Sequence, residues 1–156
     1  MSFIDEMKTK AKVDKKTIVL PEGTDIRVIK AACVVENEAF AHVILLGEKD
    51  EIKKVANENG IDISSLEIIS PAQSEKKEEY ANAFFELRKA KGMTVEKARE
   101  LMLDETHFGM MMLKLNEVDG LVSGAAHSTA NTLRPALQIV KTAPDTKLVS
   151  TFFVMC

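Results

Sequence analysis

The hydrophobic positions of this chain follow two different spacings. Short apolar runs rich in β-branched residues predict strands, and longer stretches with apolar residues three or four positions apart predict helices. The predicted strands are Thr17–Leu20, His42–Leu46, Glu67–Ser70, Asp119–Ser123 and Lys147–Val154. The predicted helices are Phe3–Lys12, one that Thr24 or Asp25 caps, Asp50–Asn59, Ser74–Lys91, one that Thr94 caps, Glu105–Asn116 and Thr129–Lys141.

This alternation of strands and helices predicts an α/β fold. Strands joined by helices form parallel pairs and a parallel sheet is covered on both faces, so we expect three αβα layers around a mainly parallel sheet. Right-handed crossovers bring the carboxyl ends of the strands to one edge. The loops predicted at that edge are Pro21–Asp25, Gly47, Ser70 and Ser123–Thr129. A ligand is expected to bind there.

The end of the chain is apolar, which is unusual for a terminus. The run Phe152–Cys156 carries no turn, cap or polar tail, although chain ends usually reach solvent. We therefore expect an incomplete N-terminal portion of a longer protein. On this interpretation residues 1–145 form most of a first α/β domain, and residues 146–156 begin a second one.

Composition narrows the class of protein. With 46% hydrophobic and 29% charged residues, the 156-residue chain is typical of a globular protein. Its net charge of −3, spread without a basic block, does not favour nucleic-acid binding. No apolar run approaches the roughly 20 residues that cross a bilayer, so we expect no membrane span. Two cysteines do not make a secreted disulfide framework and favour a reducing cytoplasm.

The loop before the last predicted helix has the chemistry of an anion site. Small residues are followed by hydroxyls and then by Arg134. A helix N-terminus offers unpaired backbone N–H groups, and a guanidinium adds donors suited to phosphate. Thr132 could cap the helix with Pro135 at the third position, which would place Arg134 in the first turn. A cation there opposes the helix dipole, so either a bound anion explains it or Arg134 pairs with a nearby carboxylate on the surface.

Four hydroxyl residues in this loop have two possible roles. Ser123, Ser128, Thr129 and Thr132 can cap the helix and satisfy the turn, or they can contact a ligand. Ser128 and Thr129 are favoured as ligand contacts because they follow small residues that let a ligand approach the backbone.

The other candidate functional residues are more typical of structural roles. Arg88 lies near the end of its helix, where a cation is favourable for structural reasons alone. The three histidines lack metal-ligand spacing, so we expect no metal site; His42 and His107 are expected to be structural, and His127 to make a polar contact. Cys33 lies on an apolar helix face and is expected to be buried and inert. The methionines Met102 and Met110–Met112 indicate core packing, and neither a dinucleotide fingerprint nor a P-loop is present.

Two stretches make the chain recognisable as similar to a known family. Gly120–Pro144 and Leu20–Arg27, with Lys30–Ala32 after it, closely resemble phosphate acetyltransferases, and the similarity covers the whole chain. The loop of the related phosphate butyryltransferases differs, which favours the acetyl enzyme. The resemblance implies reversible acetyl transfer between coenzyme A and phosphate, with small-molecule substrates and no metal or prosthetic cofactor. It also implies a dimeric protein of two α/β domains with the isocitrate/isopropylmalate dehydrogenase-like architecture.

The same resemblance assigns roles to residues. Arg134 matches the catalytic arginine at the phosphoryl end of the substrate, and Ser128 and Thr129 match hydroxyls of the same loop, with Thr132 beside them as a further substrate-binding candidate. Arg88 matches a second substrate-binding arginine, which reverses the structural interpretation above. Cys156 matches a cysteine close to the active site.

Proteins of this family are longer than the present chain, and their aspartate base lies outside the matched half. We therefore expect the 156-residue chain alone to show no acetyltransferase activity, and normal turnover in a thioester-formation assay would contradict this. The alternatives are a phosphate butyryltransferase-like acyltransferase and a non-catalytic domain that binds phosphate or an acyl phosphate.

Overall fold

The computed structural model of the chain describes residues 2–150 and 154–155. Within them the helices are α1 (Phe3–Val13), α2 (Ile26–Asn37), α3 (Lys49–Glu58), α4 (Lys77–Arg88), α5 (Val95–Leu101), α6 (Glu105–Lys114) and α7 (Thr129–Ile139). The strands are β1 (Lys16–Leu20), β2 (Ala41–Leu46), β3 (Glu67–Ile69) and β4 (Gly120–Leu121).

The four strands form one parallel sheet in the order β3-β2-β1-β4. The central strand β1 pairs with β2 on one side and β4 on the other, so that Ile18 lies opposite both Val43 and Gly120. Each crossover contains helix, as parallel neighbours require. The predicted α/β class with a parallel sheet is confirmed.

Helices cover both faces of this sheet because strand residues alternate between two cores. Val43 and Leu45 face the layer that contains α2 and α3. Ile44 and Leu46 face the layer that contains α4, α6 and α7. The second core includes fully buried aromatic rings and the methionines that the sequence assigned to packing: Tyr80, Phe84, Phe108, Met102, Met110, Met111 and Met112. The three-layer prediction is therefore confirmed.

Several local predictions also hold. Asp25 caps α2 by accepting a hydrogen bond from the Arg27 backbone N–H, and Thr94 caps α5. Gly60 follows α3 with a φ of +64°, a left-handed conformation that suits glycine just after a helix. Helix α1 has no buried residue and lies on the surface. Of the helices in the described part, none is long and apolar enough to cross a membrane.

Two strand predictions need correction. β4 ends at Leu121, and after the Val122 N–H, which still donates to the Val19 carbonyl at 3.1 Å, the chain leaves the sheet as a loop. The strand predicted over Lys147–Val154 is wrong for residues 147–150 and Val154, and residues 151–153 lie outside the described residues. Leu148 is 80% exposed. An apolar run becomes a strand only where a sheet edge pairs with its backbone, and residues 147–150 pair with no strand in the described part of the chain. The domain boundary after residue 145 stays a prediction.

Candidate functional site

The two loops that meet at the carboxyl end of the sheet lie at its topological switch point. From β1 the sheet continues to β2 on one side and to β4 on the other. The loop after β1 (residues 21–25) and the loop after β4 (residues 122–128) therefore flank the crevice where α/β sheets bind ligands. We call them the β1–α2 loop and the β4–α7 loop.

Glu22 joins these loops. One of its carboxylate oxygens accepts hydrogen bonds from the backbone N–H groups of Gly124 and Ala125, both at 2.9 Å. The other accepts from Ala126 at 2.7 Å and His127 at 2.6 Å. Glu22 is only 5% exposed. The backbone amides that the sequence offered to a ligand are thus bound to a carboxylate of the protein itself.

The charge state of Glu22 follows from this contact. Burial raises the pKa of the carboxyl, but the four backbone N–H donors together outweigh burial and hold the pKa at about 2. Glu22 is therefore an ionised, buried carboxylate whose charge is compensated by peptide dipoles.

Arg27 makes a second contact with the β4–α7 loop. The Arg27 guanidinium donates to the Ala125 carbonyl oxygen at 2.5 Å and to Asp25 at 2.6 Å. The β4–α7 loop is therefore held through its N–H groups by Glu22 and through a carbonyl by Arg27.

The start of α7 differs from one part of the prediction. Ser128, not Thr132, is the N-cap, and its hydroxyl accepts from the Asn131 backbone N–H at 3.3 Å. Arg134 is consequently in the second turn, and Pro135 lies inside the helix, where its ring nitrogen cannot donate to the Asn131 carbonyl. Arg134 therefore does not lie in the first turn, where the sequence predicted that it would oppose the helix dipole.

Arg134 lines a polar cavity of about 190 Å³. The other lining residues are Asp104, Thr106, His107, His127, Asn131 and Pro135. Arg27 and Arg99 each pair with a carboxylate, whereas Arg134 forms no ion pair with any residue the structure describes. The alternative of a surface arginine paired with a nearby carboxylate is therefore not what the described residues show.

Two side-chain pairs define the walls of this cavity. Asp104 caps α6 by accepting from the His107 backbone at 2.9 Å, and its carboxylate also lies 2.6 Å from His107 Nδ1. Burial raises the pKa of Asp104, but the hydrogen bonds from His107 leave it below its usual value. Across the cavity, buried Thr106 lies 3.1 Å from His127 Nδ1. His127 makes the polar contact expected of it, and the structural role expected of His107 stays a prediction.

The hydroxyl candidates do not gather around Arg134. Ser128 is committed to the helix cap and Thr129 is exposed on the first turn, and neither lines the cavity. The Thr132 hydroxyl lies 3.4 Å from that of Ser123, away from the cavity lining. Whether these hydroxyls contact a substrate stays a prediction.

Arg88 occupies the last turn of α4 with its Nε atom buried. That nitrogen has no hydrogen-bond partner among the described residues. Arg88 follows Phe84 by one helical turn, and the Phe84 ring lies 6.1 Å from the imidazole of His107, which lines the Arg134 cavity. Arg88 itself is not part of that lining.

The other candidates are peripheral. His42 is exposed rather than buried, with its ring 3.8 Å from Glu36, because its side chain points outward from β2. Cys33 is half-buried and its thiol lies 3.6 Å from the Asp62 carbonyl; burial raises its pKa, which favours the unreactive thiol form. Cys156 lies outside the described residues.

Sequence reasoning missed Glu22. The stretch Pro21–Gly23 reads locally as a turn, and its partner amides lie more than a hundred positions away. A signal was nevertheless present, because a carboxylate directly follows the central strand at the edge where a loop rich in small residues offers N–H donors.

Replacing Gly124 by alanine tests whether strain of the backbone, without crowding of the added methyl group, lowers the stability of the protein. Its φ of +113° disfavours any other residue, although a Cβ there would contact nothing within 4 Å. We expect the free energy of unfolding to fall by about 2 kcal/mol in chemical denaturation. Gly60→Ala, at a milder φ of +64° with equal space, is the matched control. An equal loss in both variants would contradict a special strain at Gly124.

Comparison with known proteins places the chain in a family. The family model described as phosphate acetyl/butaryl transferase matches residues 2–156. Phosphate acetyltransferases of Acetivibrio thermocellus and Thermoanaerobacterium thermosaccharolyticum are each 56% identical over 155 residues, which is 99% of this chain. That alignment spans 46% and 47% of those proteins, so the chain spans about half the length of the curated relatives it matches.

Solved structures agree. The EutD phosphotransacetylase of Staphylococcus aureus superposes with a TM-score of 0.86 at 43% identity, over 93% of this chain and 44% of that one. A phosphotransacetylase of Streptococcus pyogenes gives the same TM-score at 38% identity, over 92% of this chain and 44% of that one. The chain belongs to the phosphate acetyl/butaryl transferase family.

Proposed function

We propose that the protein transfers an acetyl group reversibly between coenzyme A and phosphate, giving acetyl phosphate and free coenzyme A. Membership of the family supports acyl transfer to or from phosphate. The relatives described above are named phosphate acetyltransferases, which supports acetyl over butyryl transfer. Coenzyme A then acts as a substrate, and no metal or prosthetic group takes part in this proposal.

The observation that carries the proposal is Arg134 in its polar cavity. A guanidinium with no carboxylate partner among the described residues keeps its N–H donors available, and their planar geometry suits two phosphoryl oxygens. The lining adds the Asn131 amide and the Thr106 hydroxyl as neutral polar groups. We assign Arg134 to the phosphoryl group and regard it as the catalytic residue of this chain.

The chemistry explains why a cation is useful there. In the direction of acetyl phosphate consumption, a thiolate sulfur attacks the carbonyl carbon, and phosphate leaves with the electrons of the broken C–O bond. Negative charge grows on the carbonyl oxygen and on the departing phosphate, and the Arg134 guanidinium stabilises that charge in the transition state.

We also propose further substrate-binding residues, and a location and an oligomeric state for the whole protein. Arg88, with a buried Nε that lacks a partner among the described residues, is proposed as a second substrate-binding cation. Ser128, Thr129 and Thr132 are proposed as hydroxyl contacts at the start of α7. We also propose a cytoplasmic homodimer for the whole protein.

Replacing Arg134 tests the proposal. In the whole protein, Arg134→Ala is expected to lower kcat for acetyl phosphate formation by about 100-fold and to weaken inorganic phosphate binding about ten-fold. Arg134→Lys should recover only part of both, because lysine lacks the planar fork. Arg99→Ala, which removes an exposed arginine paired with Glu78, is the control and should leave kcat unchanged.

The same variants separate catalysis from binding. If the protein only binds phosphate or an acyl phosphate, wild type shows no turnover, and Arg134→Ala merely weakens affinity. Unchanged kcat and unchanged phosphate affinity in Arg134→Ala would contradict the proposed site altogether.

A further inference from the structure

We propose that Glu22 is a positioning residue for the Arg134 cavity and serves as the internal anion of the β4–α7 loop. Its carboxylate fills the pocket formed by four loop amides, and in doing so it fixes the start of α7. The positioning role rests on the proposed function, whereas the internal-anion role can be tested without any activity.

The hydrogen bonds exclude substrate phosphate from the amide pocket. Each carboxylate oxygen accepts from two backbone N–H groups, so all four donors of Gly124–His127 are used. The pocket is closed to water, since Glu22 is 5% exposed. A second anion would have to displace an ionised carboxylate and would be repelled by it. A phosphoryl group must therefore be bound by side chains outside this pocket.

His127 connects the pocket to the cavity. Its backbone N–H donates to Glu22 at 2.6 Å, while its ring lines the Arg134 cavity and lies 3.1 Å from Thr106. The Glu22 carboxylate itself lies 3.8 Å from the His127 ring. The position of one wall of the cavity thus depends directly on the Glu22 contact.

The same contact determines where α7 begins. His127 immediately precedes the N-cap Ser128, so a loop fixed at His127 places the cap, and the cap sets the helical phase of Asn131 and Arg134. Those two residues are three positions apart and share a helix face toward the cavity. Without an anion, the four N–H donors of Gly124–His127 would lose their shared acceptor, and the loop would have to rearrange to find other partners for them.

A small carboxylate should replace the missing side chain, which provides the test. Glu22→Ala in the 156-residue chain is expected to lower Tm by about 10 °C in sodium chloride. Sodium formate at equal ionic strength, at about 0.2 M, should restore at least half of that loss. Glu100→Ala, which removes an exposed carboxylate, should respond equally to both salts. If the alanine variant folds only in formate, that result also supports the proposal.

Glu22→Gln provides the contrasting variant. Glutamine fills the pocket but turns an NH₂ group toward two of the N–H donors, so we expect a loss of stability that formate does not restore. In ¹⁵N-labelled protein, the amide signals of residues 124–127 should move in Glu22→Ala and return with formate. Identical Tm values of Glu22→Ala in formate and chloride would overturn the internal-anion role.

Phosphate binding then tests positioning. In the whole protein, the dissociation constant of inorganic phosphate should rise at least ten-fold in Glu22→Ala and recover in formate, relative to wild type in the same salt. If wild type and Glu22→Ala bind phosphate equally, the positioning role is overturned while the proposed function stands. If wild type binds no phosphate, the positioning role and the proposed function are both contradicted. Formate rescue alone then decides whether Glu22 is the internal anion of the loop.

Discussion

Replacing Gly23 by alanine is expected to lower the free energy of unfolding by about 4 kcal/mol, the largest stability effect we predict for a single substitution. A Cβ at this position would lie 2.4 Å from the backbone oxygen of Leu46 and 2.9 Å from Ile52 Cδ1. The Gly23 N–H also donates to that same Leu46 oxygen at 3.1 Å. The β1–α2 loop is therefore pressed against the backbone of β2, and neither backbone can yield without loss of hydrogen bonds.

Chemical denaturation of the purified variant measures this effect. Gly92→Ala is the control, because a Cβ there meets nothing within 4 Å and only the φ of +80° opposes it. Gly23→Ala should also displace its neighbour Glu22, so the four amides of the β4–α7 loop should lose their carboxylate partner. Equal stability of Gly23→Ala and Gly92→Ala would contradict the close approach to β2.

The second large effect is a loss of stability in acid that depends on Glu22. Its pKa is about 2 in the folded protein against an ordinary value of 4.5, so the folded state favours the ionised form. A lowered pKa stabilises the fold above the unfolded pKa, and this contribution disappears as pH falls from about 4.5 through about 2. The size of the contribution is about 3 kcal/mol.

A comparison of two proteins isolates this contribution from the other carboxylates. The unfolding free energy of wild type minus that of Glu22→Gln should be largest near neutral pH and should shrink as pH falls from about 5 to about 2. Asp25 and Asp104, whose pKa values are also lowered, titrate in both proteins and cancel in the difference. A difference that stays constant over this pH range would contradict the assignment to Glu22.

Much of the fold could be predicted because its signals are local. Asp25 and Thr94 have short polar side chains that accept from the first helical turn, and these caps are correct. The methionine-rich stretch Met110–Met112 was correctly assigned to the core, since all three residues are buried in the cluster between the sheet and its covering helices. The alternation of short strands with helices was enough to predict a three-layer fold around a parallel sheet.

The start of α7 shows where local signals become ambiguous. Ser128 and Thr132 both carry a hydroxyl suited to capping, and the sequence analysis put forward Thr132 as the cap and Ser128 as a ligand contact. The structure decides for Ser128, because His127 just before it is bound to Glu22. A similar ambiguity affected residues 147–150, whose apolar pattern predicts a strand but whose backbone pairs with no strand in the described part.

The candidate site, too, could be predicted from the sequence only in part. The sequence by itself determined that small residues, hydroxyls and Arg134 follow the fourth strand, and its resemblance to a family was the basis for expecting acyl transfer. Only the tertiary structure decided that the loop amides bind Glu22 and that Arg134 faces His127 and Asn131. The physical reason is that a hydrogen bond between residues more than a hundred positions apart leaves no periodicity in the sequence, because only folding brings the two ends of the contact together.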